Sequence, residues 1–163
     1  MDDLRPFPDG SVTAVYSSHT LEHTSHRYDA DHSVMTALRE WWRVLKPGGA
    51  LFLSVPDLEV MARQYLQAQD KRERWQIMRM IYGGQVDEHD FHKVGFDKTL
   101  LLEYLTHAGF CNIKVLEGGF GLFSDTSEKI FRGVPQSLNV RAEACGPGPG
   151  KSGPRVQVHL PVQ

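Results

Sequence analysis

Arg43-Val44-Leu45-Lys46-Pro47-Gly48-Gly49-Ala50-Leu51-Phe52-Leu53-Ser54-Val55-Pro56-Asp57 holds a helix end, a turn and a strand in one short stretch. Lys46-Pro47-Gly48-Gly49 puts a cation in a last helical turn, then a residue that cannot continue the helix, then glycines. Ala50 to Val55 is almost continuously apolar, the pattern of a strand covered on both faces of a parallel sheet. Pro56 ends that strand, and the Asp57 side chain is suited to cap a following helix.

Upstream, Val34, Leu38, Trp41, Trp42 and Leu45 recur at helical spacing, which predicts a helix opened by Ser33 and stopped at Lys46. Before it lie a Pro6-Phe7-Pro8-Asp9-Gly10 turn and a short β-branched strand, Val12 to Ser17. The polar stretch from Ser18 to Asp31 between them is expected as a loop at the strand's C-terminal end. Downstream, Leu58, Met61, Ala62, Tyr65 and Leu66 predict a helix. The charged stretch Asp70 to Arg74 precedes a second amphipathic piece with Trp75, Met78 and Ile81. Gly83-Gly84 begins a polar loop through His92. Asp97 caps a helix that Gly109 ends. Asn112 to Glu117 and Val134 to Ala142 read as strands separated by a long loop, and the last pair has no helix between them. The expected class is α/β, with helix-linked parallel strands and an antiparallel strand near the C-terminus. Residues 1–142 are expected to form the folded unit, and the Gly/Pro-rich 143–163 a disordered tail.

Composition bounds the function. The 163 residues are 40% hydrophobic and 23% charged with a formal net charge of -2, which offers nucleic acid no overall basic surface. No apolar run approaches the ~20 residues needed to span a bilayer. The opening Met1-Asp2-Asp3-Leu4-Arg5-Pro6 carries no apolar stretch, so no signal peptide is expected and a cytoplasmic location is. Cys111 and Cys145 form no CxxC pair and match no metal spacing. Two separate thiols in a reduced compartment are the expectation.

Several motifs imitate sites. His19, His23, His26 and His32 suggest a metal, but the loop lacks cysteines and their spacings match no common ligand pattern. They read as polar residues around a ligand pocket, with no metal expected. Asp87, His89, Asp90 and His92 read as a solvated loop. Should the chemistry need a base, His92 is the first candidate and His23 the second. Gly146 to Ser152 imitates a phosphate-binding loop, yet its first required glycine falls on Cys145 and two prolines remove amide donors. Gly118-Gly119-Phe120-Gly121 opens no helix and reads as a loop. Trp41, Trp42 and Trp75 are expected in core or interface packing.

One resemblance joins these pieces. Asp3-Leu4-Arg5, the Pro6 to Ser11 turn, and Ala14-Val15-Tyr16-Ser17-Ser18-His19-Thr20-Leu21-Glu22-His23 resemble the fourth-strand region of class I S-adenosylmethionine (SAM)-dependent methyltransferases. Leu38-Arg39-Glu40, Arg43 to Gly49 and Pro56-Asp57 are similar to the segment after that strand in the family, and Asp90 to Phe96 and the strand near Leu138 fit less specifically. The resemblance implies a partial Rossmann-like methyltransferase sheet from the fourth strand onward, the C-terminal half of the domain. It implies SAM as cofactor, with Asp3 toward the adenine amino group and Leu4, Ser17, Ser18 and His19 against the cofactor. His92 and His23 are the implied catalytic candidates. The family's glycine-rich turn and ribose-binding carboxylate would lie upstream of Met1. The expectation is therefore methyl transfer to a small-molecule or other acceptor by a truncated or split form, with weak or no activity alone. The rival is a non-catalytic methyltransferase-like subunit. It would bind a protein partner, or itself, through the sheet edge left by the absent first strand.

Overall fold

The structure is a computed structural model and describes residues 4–27, 31–121 and 126–146. Its centre is the apolar run identified above. In chain order, β1 spans Val12–Ser18, α1 Val34–Val44, β2 Leu45–Pro56, α2 Leu58–Gln67, α3 Lys71–Tyr82 and α4 Lys98–His107. β3 spans Phe110–Leu116, β4 Ile130–Phe131, β5 Val134–Pro135 and β6 Ser137–Ala144.

Three helices start where a side-chain oxygen takes an otherwise unpaired amide. Ser33 accepts from Thr36 N–H, Asp57 from Val60 N–H and Asp97 from Leu100 N–H. Asp70 caps α3 in the same way, so the charged stretch is the helix's first turn rather than its prelude. The turn after α1 is shorter than expected. Val44 is the last helical residue, and Lys46 to Gly49 already belong to β2.

The main sheet has the order β1-β2-β6-β3. β1 and β2 are parallel, and β6 is antiparallel to both neighbours. The antiparallel end expected from the missing helix is thus present, and the last strand lies inside the sheet. α1 and α4 cover one face. Leu38, Trp41, Leu101 and Leu105 pack there against Leu51, Leu53, Val55, Val140 and Ala142, all buried. On the other face Phe120 meets Tyr16 and Phe52 edge-on, both at 5.7 Å. β2 is therefore apolar on both sides because both sides are covered. α2 and α3 form a smaller cluster around Met61, Ala68 and Ile77. Among the described residues, no helix is long and apolar enough to cross a membrane.

Four expectations need correction. The final strand starts at Ser137, because Val134–Pro135 pairs instead with Ile130–Phe131. The turn of that hairpin is Arg132-Gly133, both at positive φ, a geometry usually signalled by Asn-Gly. β3 begins two residues early, at Phe110, whose ring is buried in the core. Trp75 is 58% exposed, since α3 turns Ile77 inward, whereas Trp41 is buried. Cys111 and Cys145 are paired as a disulfide, not separate thiols. Antiparallel pairing of β3 with β6 brings their Cα atoms to 5.8 Å, within bonding range. The phosphate-loop imitation, Gly146 to Ser152, lies outside the described residues from position 147 on.

Candidate functional site

The C-terminal ends of β1 and β2 point the same way, which is where open α/β sheets bind ligands. β1 ends in a sharp turn at His19, whose φ of 49° lies in the left-handed region. Its amide donates to Ser54 C=O at 2.9 Å, tying the turn to β2. A single helical turn, Leu21–His23, follows. Leu21 enters the core, and Glu22 beside it is only 1% exposed.

A second segment arrives from α3. Gly83, at φ 84°, lets the chain fold back so closely that a Cβ there would sit 2.3 Å from Asp90 C=O. Asp90 C=O accepts from Gln85 N–H, and His92 N–H donates to Tyr82 C=O. Lys93 and Val94 both donate to Glu22 C=O, at 2.8 and 3.2 Å, which stitches this loop to the first. Phe96 then buries completely, and its carbonyl accepts from Leu58 N–H at the end of β2.

The result is a cleft of about 500 Å3 bordered by His19, Glu22, His23, Arg79, Asp90 and His92, with Met61, Met80 and Phe131 on its apolar side. The His23 and His92 rings meet edge-to-face at 4.9 Å. His19 Nδ1 lies 3.5 Å and His92 Nε2 3.9 Å from Glu22 Oε1. Neither Glu22 oxygen accepts a hydrogen bond among the described residues. Burial pulls His92 below the ordinary imidazole value of 6.5, and the Glu22 carboxylate opposes that shift. Its Nδ1–H donates to Ile81 C=O at 3.2 Å, leaving Nε2 toward the cleft. A smaller cleft of about 430 Å3 behind His19 and His23 is bordered by Thr20, Glu88, His89 and Lys93.

The sequence-derived candidates divide accordingly. His92 and His23, far apart in the chain, are brought into ring contact, and His19 joins them around Glu22. Ser17 is buried beside this turn, and its hydroxyl has no partner among the described residues. Ser18 reaches the hydroxyl of Thr126 at 3.1 Å. Leu4 is placed differently. Its N–H donates to Glu40 Oε1 and its C=O accepts from Arg43, so its backbone is committed to α1. Asp3 lies outside the described residues. His26 and His32 are exposed and do not border the larger cleft. Of the loop tetrad, His92 and Asp90 border the larger cleft, while the largely exposed His89 borders only the smaller one. Glu22 is the site residue that sequence reasoning misses. Its only signal there is a place between Leu21 and His23 in the Leu-Glu-His triplet, and its burial depends on the arriving loop.

Comparison with known proteins agrees with this architecture. Residues 1–53 match the family model "Methyltransferase domain". No curated protein gives a significant match. A SAM-dependent methyltransferase from Thermotoga maritima is similar over 88% of this chain and 60% of its own, at 24% identity and TM-score 0.53. The CurJ carbon methyltransferase matches over 86% of this chain and 31% of its own, at 15% identity and TM-score 0.51. The methyltransferase bound to the Trm112 activator of Haloferax volcanii matches over 89% and 58%, at 19% identity and TM-score 0.51. The chain thus spans between about a third and three fifths of the length of these structures. The described chain has the fold of the class I SAM-dependent methyltransferases, and its first third matches the methyltransferase-domain family.

Proposed function

We propose that this chain builds the acceptor side of a SAM-dependent methyl-transfer site, with the acceptor in the histidine-lined cleft. The observation that carries this is the convergence of the β1 turn and the 83–94 loop on one cleft at the C-terminal ends of the parallel strands. SAM supplies an electrophilic methyl group, and the protein's main contribution to such a reaction is alignment. Ser17, Ser18 and His19 are the residues of this chain suited to the cofactor, with Asp3 and Leu4 as the resemblance implies. The buried, unpartnered Ser17 hydroxyl suits a polar ligand passing the end of β1. His92 and His23 address the acceptor, since the Nε2 of each is left unengaged by its carbonyl partner.

Cofactor affinity in this reading depends on a glycine-rich turn and a ribose carboxylate that these 163 residues do not carry. Each charge-assisted hydrogen bond contributes about 1.5–3 kcal/mol, so the ribose carboxylate alone is worth on the order of a hundredfold in Kd. Calorimetric titration of SAM into this chain should show weak or no binding. A form extended at its N-terminus with those two elements should bind at least about a hundredfold more tightly. Failure of the extended form to bind SAM would refute the proposal. The terminal position of β1, with Thr13 and Ala14 exposed, favours a second reading, a methyltransferase-like subunit binding a partner chain along that edge. Light scattering of this chain, which should then show a complex or self-association rather than a monomer, tests it.

A further inference from the structure

No hydrogen bond reaches the buried Glu22 carboxylate among the described residues. Ser137 donates its hydroxyl hydrogen to Thr126 C=O at 2.8 Å, so its contact of 2.8 Å with His19 Nε2 requires a hydrogen on that nitrogen. In its neutral form His19 turns the Nδ1 lone pair toward Glu22 Oε1, 3.5 Å away. His92 spends its Nδ1–H on Ile81 C=O and turns the Nε2 lone pair toward the same oxygen. His23 spends its Nδ1–H on Phe91 C=O at 3.1 Å, which leaves Nε2 as its lone-pair nitrogen. A buried carboxylate with no donor of its own among the described residues is therefore faced by acceptor nitrogens. A cation held between them satisfies such a set.

From this arrangement we infer that Glu22, His23 and His92 form a binding site for a divalent transition cation of the zinc class. One donor atom from each lies within 4.8 Å of the other two. Bonds of ~2.0–2.1 Å in tetrahedral geometry place ligand atoms ~3.4 Å apart, so the donor atoms close in by at most ~1.4 Å on binding. Two imidazoles and one carboxylate leave a coordination position open, as catalytic rather than structural sites do. Each imidazole already has the outer support expected of a ligand, a backbone carbonyl on Nδ1 that fixes ring and tautomer. Spacing rules do not find this set because they search one segment, and here two distant segments each supply part of it.

The chemistry such a cation supplies is acidification of an oxygen bound at its open position. This part rests on the methyl-transfer reading and gives the acceptor a class, a hydroxyl compound. The hydroxyl proton leaves to water, the freed oxygen pair forms the new bond to the methyl carbon, and the carbon–sulfur electron pair returns to sulfur.

The test uses the whole chain, stripped with chelator and titrated calorimetrically with Zn2+ in the absence of SAM and acceptor. One equivalent should bind. Glu22→Gln and His92→Gln, with fold verified by circular dichroism, should each weaken binding by about a hundredfold or more, while His107→Ala on the exposed end of α4 leaves it unchanged. Absence of stoichiometric binding, or binding undiminished in both variants, overturns the inference. Should the variants unfold, proton NMR of the wild-type chain decides. The ring resonances of His23 and His92 must move on adding zinc while those of His107 stay, and unmoved rings overturn the site. Metal binding is read without methyl transfer, so either reading can fail alone.

Discussion

Replacing Gly83 with alanine tests whether the close approach of the 83–94 loop to the end of α3 is what delivers His92. Gly83 sits at φ 84° and ψ 166°, a region open essentially to glycine alone, where a side chain costs about 1–3 kcal/mol. The added Cβ would also lie 2.3 Å from Asp90 O, 3.0 Å from Asp90 C and 3.1 Å from His92 N. These are backbone atoms held by the Gln85–Asp90 and Tyr82–His92 hydrogen bonds, so no flexible side chain can give way. Reaching an ordinary contact moves the strand of chain carrying His92 by about 1 Å, an overpacking strain of about 1–3 kcal/mol. Together the destabilisation should be about 3–4 kcal/mol. Gly48→Ala is the matched control. Its φ of 76° is also left-handed, but nothing lies within 4 Å of its Cβ, so only the backbone cost of about 1 kcal/mol applies. Urea denaturation followed by far-ultraviolet circular dichroism should separate the two by about 2–3 kcal/mol with unchanged slope. Variants that agree within about 0.5 kcal/mol would refute the argument that backbone crowding at Gly83 sets the loop.

Three further outcomes follow from local chemistry. Arg43 donates to Glu40 through Nε and Nη2 at 2.8 and 2.6 Å and also holds Asp9 and the carbonyls of Leu4 and Phe7, so Arg43→Lys, which lacks the planar fork, should lose about 1–2 kcal/mol in denaturation. Burial holds the Asp57 carboxyl above its ordinary value of 3.8, so the native state binds the proton more readily than the unfolded chain, and the Asp57 contribution to stability falls as pH rises from 3.8 through the raised native value. Asp57→Asn, which caps equally well, should lack that fall, so its stability relative to wild type should rise across the window and match or exceed wild type at neutral pH, whereas Asp57→Ala should lose about 1 kcal/mol. The Cys111–Cys145 bond closes a loop with a sequence separation of 34, worth up to about 4 kcal/mol. Reductant should lower the urea midpoint of wild type and leave that of Cys145→Ser unmoved, and an unresponsive wild type would place the two cysteines as thiols in solution.

Local signals are legible wherever a few neighbouring residues decide the outcome. Ser33, Asp57 and Asp97 announce their helices because a cap is a bond between a side chain and an amide three residues on. Ala50 to Val55 announces a central strand because only a strand covered on both faces tolerates so unbroken an apolar run. Asp70 and the Arg132-Gly133 turn mislead for the opposite reason. A charged first turn and an Arg-Gly hairpin are both permitted locally, and the packing of Ile77 and the pairing of β4 with β5 select them.

The candidate site shows the same division more sharply. His92 and His23 stand out by residue type, and the order of motifs points to the fold to which they belong. That Glu22 is buried, that two imidazoles turn the same nitrogen toward the cleft, and that Cys111 meets Cys145 depend on segments remote in sequence. The insertion of β6 between β2 and β3 and the fold-back at Gly83 bring those segments together. Helix caps and strand patterns are set by interactions within a turn or two of chain, and the sequence by itself determined those. The electrostatics of the cleft arise from acceptors brought together across the chain, and only the tertiary structure decided which of them would meet and which would be left without a donor.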